Sequence, residues 1–264
     1  MTSQRKKYPS DLSDEEWRVL EPHIPQAQCS KRTGGRPEKY SKREIFNAIM
    51  YVVSSGCRWC DIPHDLPPRG ISWHYFNRWS TRKLFKKMNK ELRKQVRTKR
   101  GKNPNPSVLI IDSQTAKGVE YTEDSGYDAG KKTKGRKRHH LTDTQGLLVH
   151  TKVHSAAIQD RDGAKLLLKS AGTILKNIKK IYADGGYTGK LIAWVKKQFG
   201  ITLEIVKRNE LHTFVVLPKR WIIERTNAWI SKARRLAREY EKKIRNQESM
   251  MYVRMVQLMV RWVI

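Results

Sequence analysis

The fold is decided by the stretch Val108-Leu109-Ile110-Ile111-Asp112-Ser113, in which four apolar residues run into a carboxylate. The stretch follows residues 103–107, a run of Asn, Pro and Ser that favours a turn. A short apolar run between turn signals is typical of a strand that is buried on both faces of a sheet. Because burying a lone carboxylate is costly, we expect Asp112 at the open end of this strand or beside a partner such as a cation.

Two later segments also place an acid beside an apolar run. The first, Ile181-Tyr182-Ala183-Asp184-Gly185-Gly186, predicts a short strand that ends in an Asp and a glycine turn. The second, Arg220-Trp221-Ile222-Ile223-Glu224-Arg225, places a Glu inside a strongly helical stretch. Because a site forms where the carboxyl ends of neighbouring strands meet, we expect the two Asp side chains to lie together. With Glu224 added, the three carboxylates could converge on a metal ion.

The charge of the chain points to a polyanionic partner. Lys and Arg number 55 against 25 Asp and Glu, so the formal net charge of the 264 residues is +30. Each Lys or Arg that neutralises a DNA phosphate releases a condensed counterion, which favours binding. An anionic membrane is the alternative partner, but the apolar residues 250–264 are interrupted by Arg254, Gln257 and Arg261 and predict a core helix instead.

Three further features of the sequence indicate the cellular compartment in which the protein acts. The basic first ten residues are followed by no apolar stretch, which argues against secretion. Three cysteines are too few, and odd in number, for a disulfide framework. Cys57 and Cys60 are spaced like zinc ligands, with His64 and His74 nearby, but no second matched pair follows, so we expect idle thiols rather than a zinc site. A reducing, cytoplasmic location in association with the nucleoid fits these features.

Residues 1–80 predict a small all-α domain. Ser13 and Glu16 have the spacing of a capping box, and Ser41 precedes a second helix with apolar residues at helical spacing. Residues 72–79 predict a third helix that is basic and aromatic. Such helices, separated by Gly- and Pro-rich turns, favour a helix-turn-helix-like DNA-binding domain, although a plain helical subdomain is the alternative. The DNA contacts expected here are Arg36, Arg69, Arg78 and Arg82.

The rest of the chain predicts a linker and an α/β domain. Residues 81–103 have the pattern of a basic amphipathic linker helix, which we expect to lie along DNA. Residues 104–264 predict, in order, a strand, a hairpin, and then helices alternating with two further strands, the last long helix running from 219 to about 245. This order is typical of a mixed sheet with helices on its faces. The basic residues of the predicted hairpin region, also expected to contact DNA, are Lys134, Arg136, Lys137 and Arg138.

Several of these motifs resemble those of bacterial insertion-sequence transposases of the insertion-sequence-five type. In the catalytic part they are Asp112-Ser113-Gln114, Gly135-Arg136-Lys137-Arg138-His139, Asp160-Arg161-Asp162-Gly163-Ala164, Ala183-Asp184-Gly185-Gly186-Tyr187 and the run from Leu217 to Thr226. In the amino-terminal part they are Leu12-Ser13-Asp14-Glu15-Glu16-Trp17, Gly35-Arg36-Pro37 and the run from Trp73 to Trp79. The motifs occur in order over nearly the whole chain, which makes the resemblance specific.

The resemblance implies a ribonuclease-H-like fold and an Asp-Asp-Glu catalytic triad, carried onto Asp112, Asp184 and Glu224. Arg220 matches the arginine of the family's motif around the catalytic Glu. Two departures concern that motif. Where related groups often have a Tyr before the Arg and a Lys after the Glu, this chain has Leu217 and Ser231. Lys232 or Arg234 could replace the missing Lys as a phosphate contact, and Arg235 is also expected to contact DNA.

The implied chemistry is phosphodiester cleavage followed by strand transfer, both in-line displacements at phosphorus. Two Mg²⁺ ions held by carboxylates suit it, and Mn²⁺ should substitute. The implied partners are double-stranded DNA, both element ends and target, and a second copy of the chain, since paired ends need at least a dimer. A metal-dependent structure-selective nuclease of the same fold and a non-catalytic DNA-binding regulator are the alternatives.

Overall fold

The computed structural model describes residues 5–25, 38–206 and 220–264. These ranges form eight α-helices and six β-strands. The helices are α1 (Asp14–Leu20), α2 (Lys42–Ser55), α3 (Arg69–Thr81), α4 (Leu84–Lys99), α5 (Asp160–Ala171), α6 (Lys190–Phe199), α7 (Arg220–Ser231) and α8 (Ile244–Val263). The strands are β1 (Val108–Lys117), β2 (Gly126–Asp128), β3 (Thr133–Asp143), β4 (Leu148–Ser155), β5 (Lys180–Ala183) and β6 (Thr202–Ile205). None of the described helices is long and apolar enough to cross a membrane.

The first helices begin where the sequence predicts. The Ser13 hydroxyl accepts a hydrogen bond from the Glu16 backbone N–H, and the Glu16 carboxylate accepts one from the Ser13 N–H, which completes the capping box of α1. Ser41 caps α2 through its hydroxyl, which accepts from the N–H of Glu44. α2 ends at Gly56, whose φ of +76° lies in the left-handed region that favours glycine.

The sheet is mixed, as predicted. β4, β3 and β1 are antiparallel neighbours, while β1, β5 and β6 run parallel, and β2 pairs with the start of β3. The prediction that Asp112 ends its strand is wrong, because β1 continues to Lys117 along β3. The parallel pairing with β5 does stop early, at Ile110 opposite Tyr182. Asp112 therefore lies inside a strand but beyond the end of the β1–β5 ladder.

β1 is buried on both faces, as its apolar run predicts. Leu109 and Ile111 belong to a hydrophobic cluster with residues of α5, α6, β5 and β6. Ile110, which points to the opposite face, packs with Ile222 and Ile223 of α7. β1 is thus the central strand that separates two layers of helices.

The C-terminal helix α8 joins the amino-terminal helices to the sheet. One hydrophobic cluster includes apolar residues of α1 to α4, α8 and the adjoining β4, and α8 contacts α2, α3, α4 and β4 directly. α4 is part of this core: Phe85, Met88 and Leu92 are buried, and its lysines form the outer face. The division into residues 1–80, 81–103 and 104–264 stays a prediction, but the core of the first unit includes α8.

The chain after α7 differs from the prediction of one helix to about residue 245. α7 ends at Ser231, and residues 232–243, the connector, lead to α8. Buried arginines of β3 hold this connector. Arg138 forms an ion pair with Glu239 and donates to the carbonyl of Leu236 at 2.8 Å, while Arg136 donates to the carbonyl of Glu241 at 2.9 Å. Such enclosed charges must be paired, since an uncompensated buried charge is strongly destabilising.

Removing one partner of the Arg138–Glu239 pair should therefore destabilise the fold. Both side chains are fully buried, so Glu239→Ala should lower the free energy of unfolding by about 3–5 kcal/mol. Urea denaturation measures this change, with Glu120→Ala at an exposed position as the control. The double variant Arg138→Met/Glu239→Leu should lose less stability than Glu239→Ala alone. A single variant as stable as the control would contradict the role given to the pair.

Candidate active site

Asp112 and Asp184 lie at the same edge of the sheet. Both line one pocket, together with Ile110 and Tyr182 of the last β1–β5 pair and Ile223 of α7. Each of the two Asp residues is half-buried. The parallel register explains the shared pocket. Asp112 follows Ile110 by two positions, Asp184 follows Tyr182 by two positions, and residues two apart in a strand point to the same face of the sheet. The two Asp residues thus share one pocket, and their joint role in a site stays a prediction.

α7 lies along β1 in matching register. The Asn227 side-chain amide donates to the Asp112 carboxylate at 3.0 Å, and the Gln114 amide donates to the Ser231 hydroxyl at 2.9 Å. Four residues of helix rise by about 6 Å and two residues of strand by about 6.6 Å, so every fourth residue of α7 meets every second residue of β1. This match brings a helix that is distant in sequence against Asp112.

Glu224 is placed beside the pocket by the same contact. It follows Ile223, which lines the pocket, and precedes Asn227 by three residues, about 4.5 Å along the helix axis. The side chain of Glu224 is exposed. Within the described ranges, no three His, Cys, Asp or Glu side chains lie close enough to hold a metal ion. The structure therefore brings the two Asp together and Glu224 near them, without closing the three around an ion.

The loop after β5 begins with Asp184 and borders the site. The Asp184 carboxylate accepts a hydrogen bond from the Gly186 N–H at 2.9 Å, which fixes the turn. Tyr187, three residues after Asp184, is buried. Burial raises the pKa of the Tyr187 hydroxyl well above its usual value, and the carboxylates of Asp112 and Asp160 raise it further. The site is thus a region of concentrated negative charge, and carboxylate oxygens are the donors that Mg²⁺ prefers.

Asp160 is a fourth acid at this edge, and the sequence patterns did not identify it as part of the site. It begins α5 and resembles an ordinary first-turn acid. Its carboxylate accepts a hydrogen bond from the Ser113 hydroxyl at 2.8 Å and forms an ion pair with Lys137 at 3.1 Å. Ser113 directly follows Asp112, so Asp160 contacts β1 from the face opposite α7. Its place in the motif Asp160-Arg161-Asp162-Gly163-Ala164 was the available signal.

Four of the predicted DNA contacts are wrong, because their side chains are buried and bound within the chain. Arg136 and Arg138 hold the connector to α8. Lys137 lies between Asp128 and Asp160. Arg235 forms an ion pair with Glu241 at 2.7 Å. Clusters of basic residues in a sequence do not reveal burial, and here the charges are used for internal pairing.

The other predicted DNA contacts differ in their exposure. Arg78 is half-buried. Arg36 and the side chain of Arg220 lie outside the described residues. Those that are exposed are Arg69, Arg82, Lys134, Lys232 and Arg234. The two candidates to replace the missing Lys after Glu224, Lys232 and Arg234, are thus both exposed, and the choice between them stays open.

Comparison with known proteins places the chain in a family. Residues 103–259, more than half of the chain, match the family model described as "Transposase DDE domain", and residues 12–89 match one described as "Putative transposase of IS4/5 family". The chain belongs to the DDE transposase family, which confirms the ribonuclease-H-like fold class. It is also similar to a Burkholderia cepacia protein named "Putative transposase for insertion sequence element IS402", with 28% identity over 116 residues. That match covers 41% of this chain and 55% of the relative, so the chain spans about half the length of the curated relative.

Buried histidines lie behind the site, in the hairpin of β3 and β4. His140 is fully enclosed, and neither ring nitrogen has a hydrogen-bond partner within the described structure. Burial lowers the pKa of His140 and that of His150 to about 3. In the unfolded chain a histidine has a pKa of about 6.5, so below that pH the unfolded state binds more protons than the folded one. These residues therefore favour unfolding as the pH falls.

The free energy of unfolding should fall as the pH is lowered from about 6.5 toward the pKa values of these histidines in the folded state, about 3. Each such histidine contributes a loss of about 1.4 kcal/mol per pH unit in this window. His140→Leu, which removes one titrating group, should make the dependence of the unfolding free energy on pH shallower by about that amount. Denaturation at several pH values measures the slope, with His64→Gln, at an exposed position, as the control. Equal slopes in the two variants would show that His140 is not buried in its neutral form.

Proposed function

We propose that this protein is a DNA transposase. It binds the terminal inverted repeats of an insertion sequence, cleaves phosphodiester bonds at the ends and transfers the 3′ hydroxyl ends into target DNA. The observation that carries the proposal is the pairing of Asp112 and Asp184 in one pocket with α7, which bears Glu224, laid along β1. The family match and the net charge of +30 support it. A nuclease that cuts without joining, and a regulator that only binds, are the other outcomes of the tests below.

Asp112, Asp184 and Glu224 would hold the metal, two Mg²⁺ ions or Mn²⁺ in their place. The bound metal would lower the pKa of the attacking group and offset charge on the phosphate. The chain's own residues position the ligands: Asn227 orients the Asp112 carboxylate, and the Gly186 N–H orients that of Asp184. Glu224, exposed on the adjoining helix, would turn into the pocket when metal and DNA are bound.

α3 is the proposed recognition element of the amino-terminal region. Its exposed side chains include Arg69 and His74, and Trp73 is 42% exposed, which is unusual for so large an apolar group. Arg82, also exposed, caps its end. A helix with basic and aromatic side chains on its open face suits insertion into a groove of DNA, as in helix-turn-helix-like proteins. Action on two DNA ends implies at least a dimer, acting at the nucleoid in the cytoplasm.

Removing each acid should abolish the chemistry while sparing DNA binding. Asp112→Ala, Asp184→Ala and Glu224→Ala should each lower cleavage and joining by at least about 100-fold, since loss of groups that only support metal ligands already costs 10–100-fold. DNA affinity should stay nearly unchanged, because it comes from basic side chains. Nicking and joining of a duplex with the terminal repeat, with Mg²⁺ present, measures the first effect, and gel shift measures the second. Joined products support a transposase, and cut products alone support a nuclease.

The matched control for these variants is Asp162→Ala. Asp162 is exposed, two residues after Asp160, and forms only a surface ion pair with Lys165 within the described structure. Asp143 is unsuitable, because it is buried and paired with Arg97 at 2.6 Å. Full activity of Asp184→Ala, with loss of activity in Asp162→Ala, would contradict the assignment of the second metal ligand.

The recognition role of α3 has a separate test. Arg69→Gln/Arg82→Gln should weaken binding and lower the slope of log affinity against log salt by about 0.9 for each phosphate that is no longer neutralised. Trp73→Ala should reduce the preference for terminal over random duplex if the helix reads bases. The full chain is used, because α8 completes the core beneath α2 and α3. Unchanged affinity and preference in both variants would remove α3 from the DNA interface.

A further inference from the structure

We propose that a basic cleft beside α4 binds the phosphodiester backbone of DNA at a place separate from the catalytic acids. This inference rests on the proposed function, since it assumes that DNA is the ligand. The cleft lies between α4 and the segment that leads from α5 to β5. Its cationic residues, all on α4 or at its start, are Lys83, Lys86, Lys87, Lys90 and Arg93. Its neutral polar residues include Asn105, Ser170, Thr173 and Asn177.

The charge of the cleft is of one sign. No Asp or Glu is among the described residues that line it. Glu91, the acid on α4, is paired with Lys94 at 3.1 Å, and Lys94 does not line the cleft. Burial lowers the pKa of Lys86, although the Glu248 carboxylate acts to raise it. Five cations gathered in a partly enclosed space repel one another, and an anion would offset that repulsion.

Arg93 indicates that the cleft is built for an anion and is more than a solvated helix face. The residue is 5% exposed, and its guanidinium donates to the Leu148 carbonyl at 3.2 Å. Its Nε is buried with no hydrogen-bond partner in the described part of the chain. Burial lowers the pKa of Arg93, which reflects the cost of enclosing its charge. The enclosed Arg93 cation adds positive potential to the wall of the cleft, and a phosphate bound at the neighbouring lysines would offset it.

The arrangement fits a nucleic-acid strand better than a single small anion. The lysines of α4 recur three and four residues apart and so form a row on one side of the helix. From Lys83 to Lys90 the row extends about 10 Å along the axis. Successive phosphates of one strand lie farther apart than their axial rise of about 3.4 Å, because the strand winds around the axis, so the row is long enough for about two phosphates.

The cleft and the catalytic pocket lie at opposite ends of the sheet. Pro106 precedes β1 and Asn177 precedes β5, whereas Asp112 lies farther along β1 and Asp184 follows β5. Since β1 and β5 are parallel, the cleft lies at their amino ends and the acids toward the other side. The distance from Pro106 to Asp112 is about 20 Å along an extended strand. DNA in the cleft is therefore held about six base pairs or more from the phosphate being cleaved.

The test compares two matched pairs of exposed lysines. Lys87→Gln/Lys90→Gln removes two charges from the cleft, and Lys196→Gln/Lys197→Gln removes two from α6, outside it. Affinity for a terminal-repeat duplex and for a random duplex is measured at several salt concentrations. The cleft variant should lower the log–log slope by about 1.8 for both duplexes, since phosphate contacts carry no sequence information. The α6 variant should leave the slope unchanged.

Equal slopes in the two variants would overturn the proposal. So would a slope change for the terminal duplex alone, which would mean base reading instead of backbone contact. A third arm measures Tm in sodium phosphate and in sodium chloride of equal ionic strength. If phosphate stabilises the wild-type protein but not the cleft variant, while their DNA slopes agree, the cleft binds free phosphate and the proposal is wrong. Cleavage with Mg²⁺ is scored separately, so an inactive wild-type protein would refute the proposed function while the slopes still decide the role of the cleft.

Discussion

The buried ion pair between Arg138 and Glu239 is the interaction on which the rest of the structure depends. Arg138 lies on β3, beside the central strand, and Glu239 lies in the connector between α7 and α8. The pair and the neighbouring bonds of Arg136 hold that connector against the sheet. They fix the end of α7, which carries Glu224 and Asn227, and the start of α8, which completes the amino-terminal core. One enclosed contact therefore connects the layer that carries the candidate active site to the helices proposed to bind DNA.

Much of the fold follows from local sequence patterns. The capping box at Ser13, the apolar run before Asp112 and the hairpin of β3 and β4 each form where local physical chemistry predicts. The errors are nonlocal. The extension of β1 to Lys117 depends on pairing with β3 and on a hydrogen bond from the Glu239 N–H to the Lys117 carbonyl. The break after Ser231 likewise depends on β3, which holds the connector and is far from it in sequence. Hydrophobic periodicity in a sequence carries no information about such partners.

In the candidate site, too, the features that local sequence predicts differ from those that depend on nonlocal contacts. Asp112 and Asp184 could be brought together from sequence, because both follow apolar runs in neighbouring parallel strands. Local patterns do not identify Asp160, since an acid in the first turn of a helix is usually explained by the helix dipole, and only its place in the family motif indicates a role in the site. The prediction that Arg136 and Arg138 contact DNA is wrong because both side chains are buried, and they form hydrogen bonds and ion pairs within the protein. The direct contact of Asn227 with Asp112 depends on the matching rise of α7 and β1, which only the assembled fold reveals.

Anomalous scattering from crystals grown with Mn²⁺ and terminal-repeat DNA would test the central claim most directly, since it locates the metal without relying on activity. Our account predicts manganese peaks in the pocket of Asp112 and Asp184, with Glu224 as a further ligand contributed by α7. Manganese coordinated by Asp160 in place of Glu224, or located away from the two Asp side chains, would contradict it.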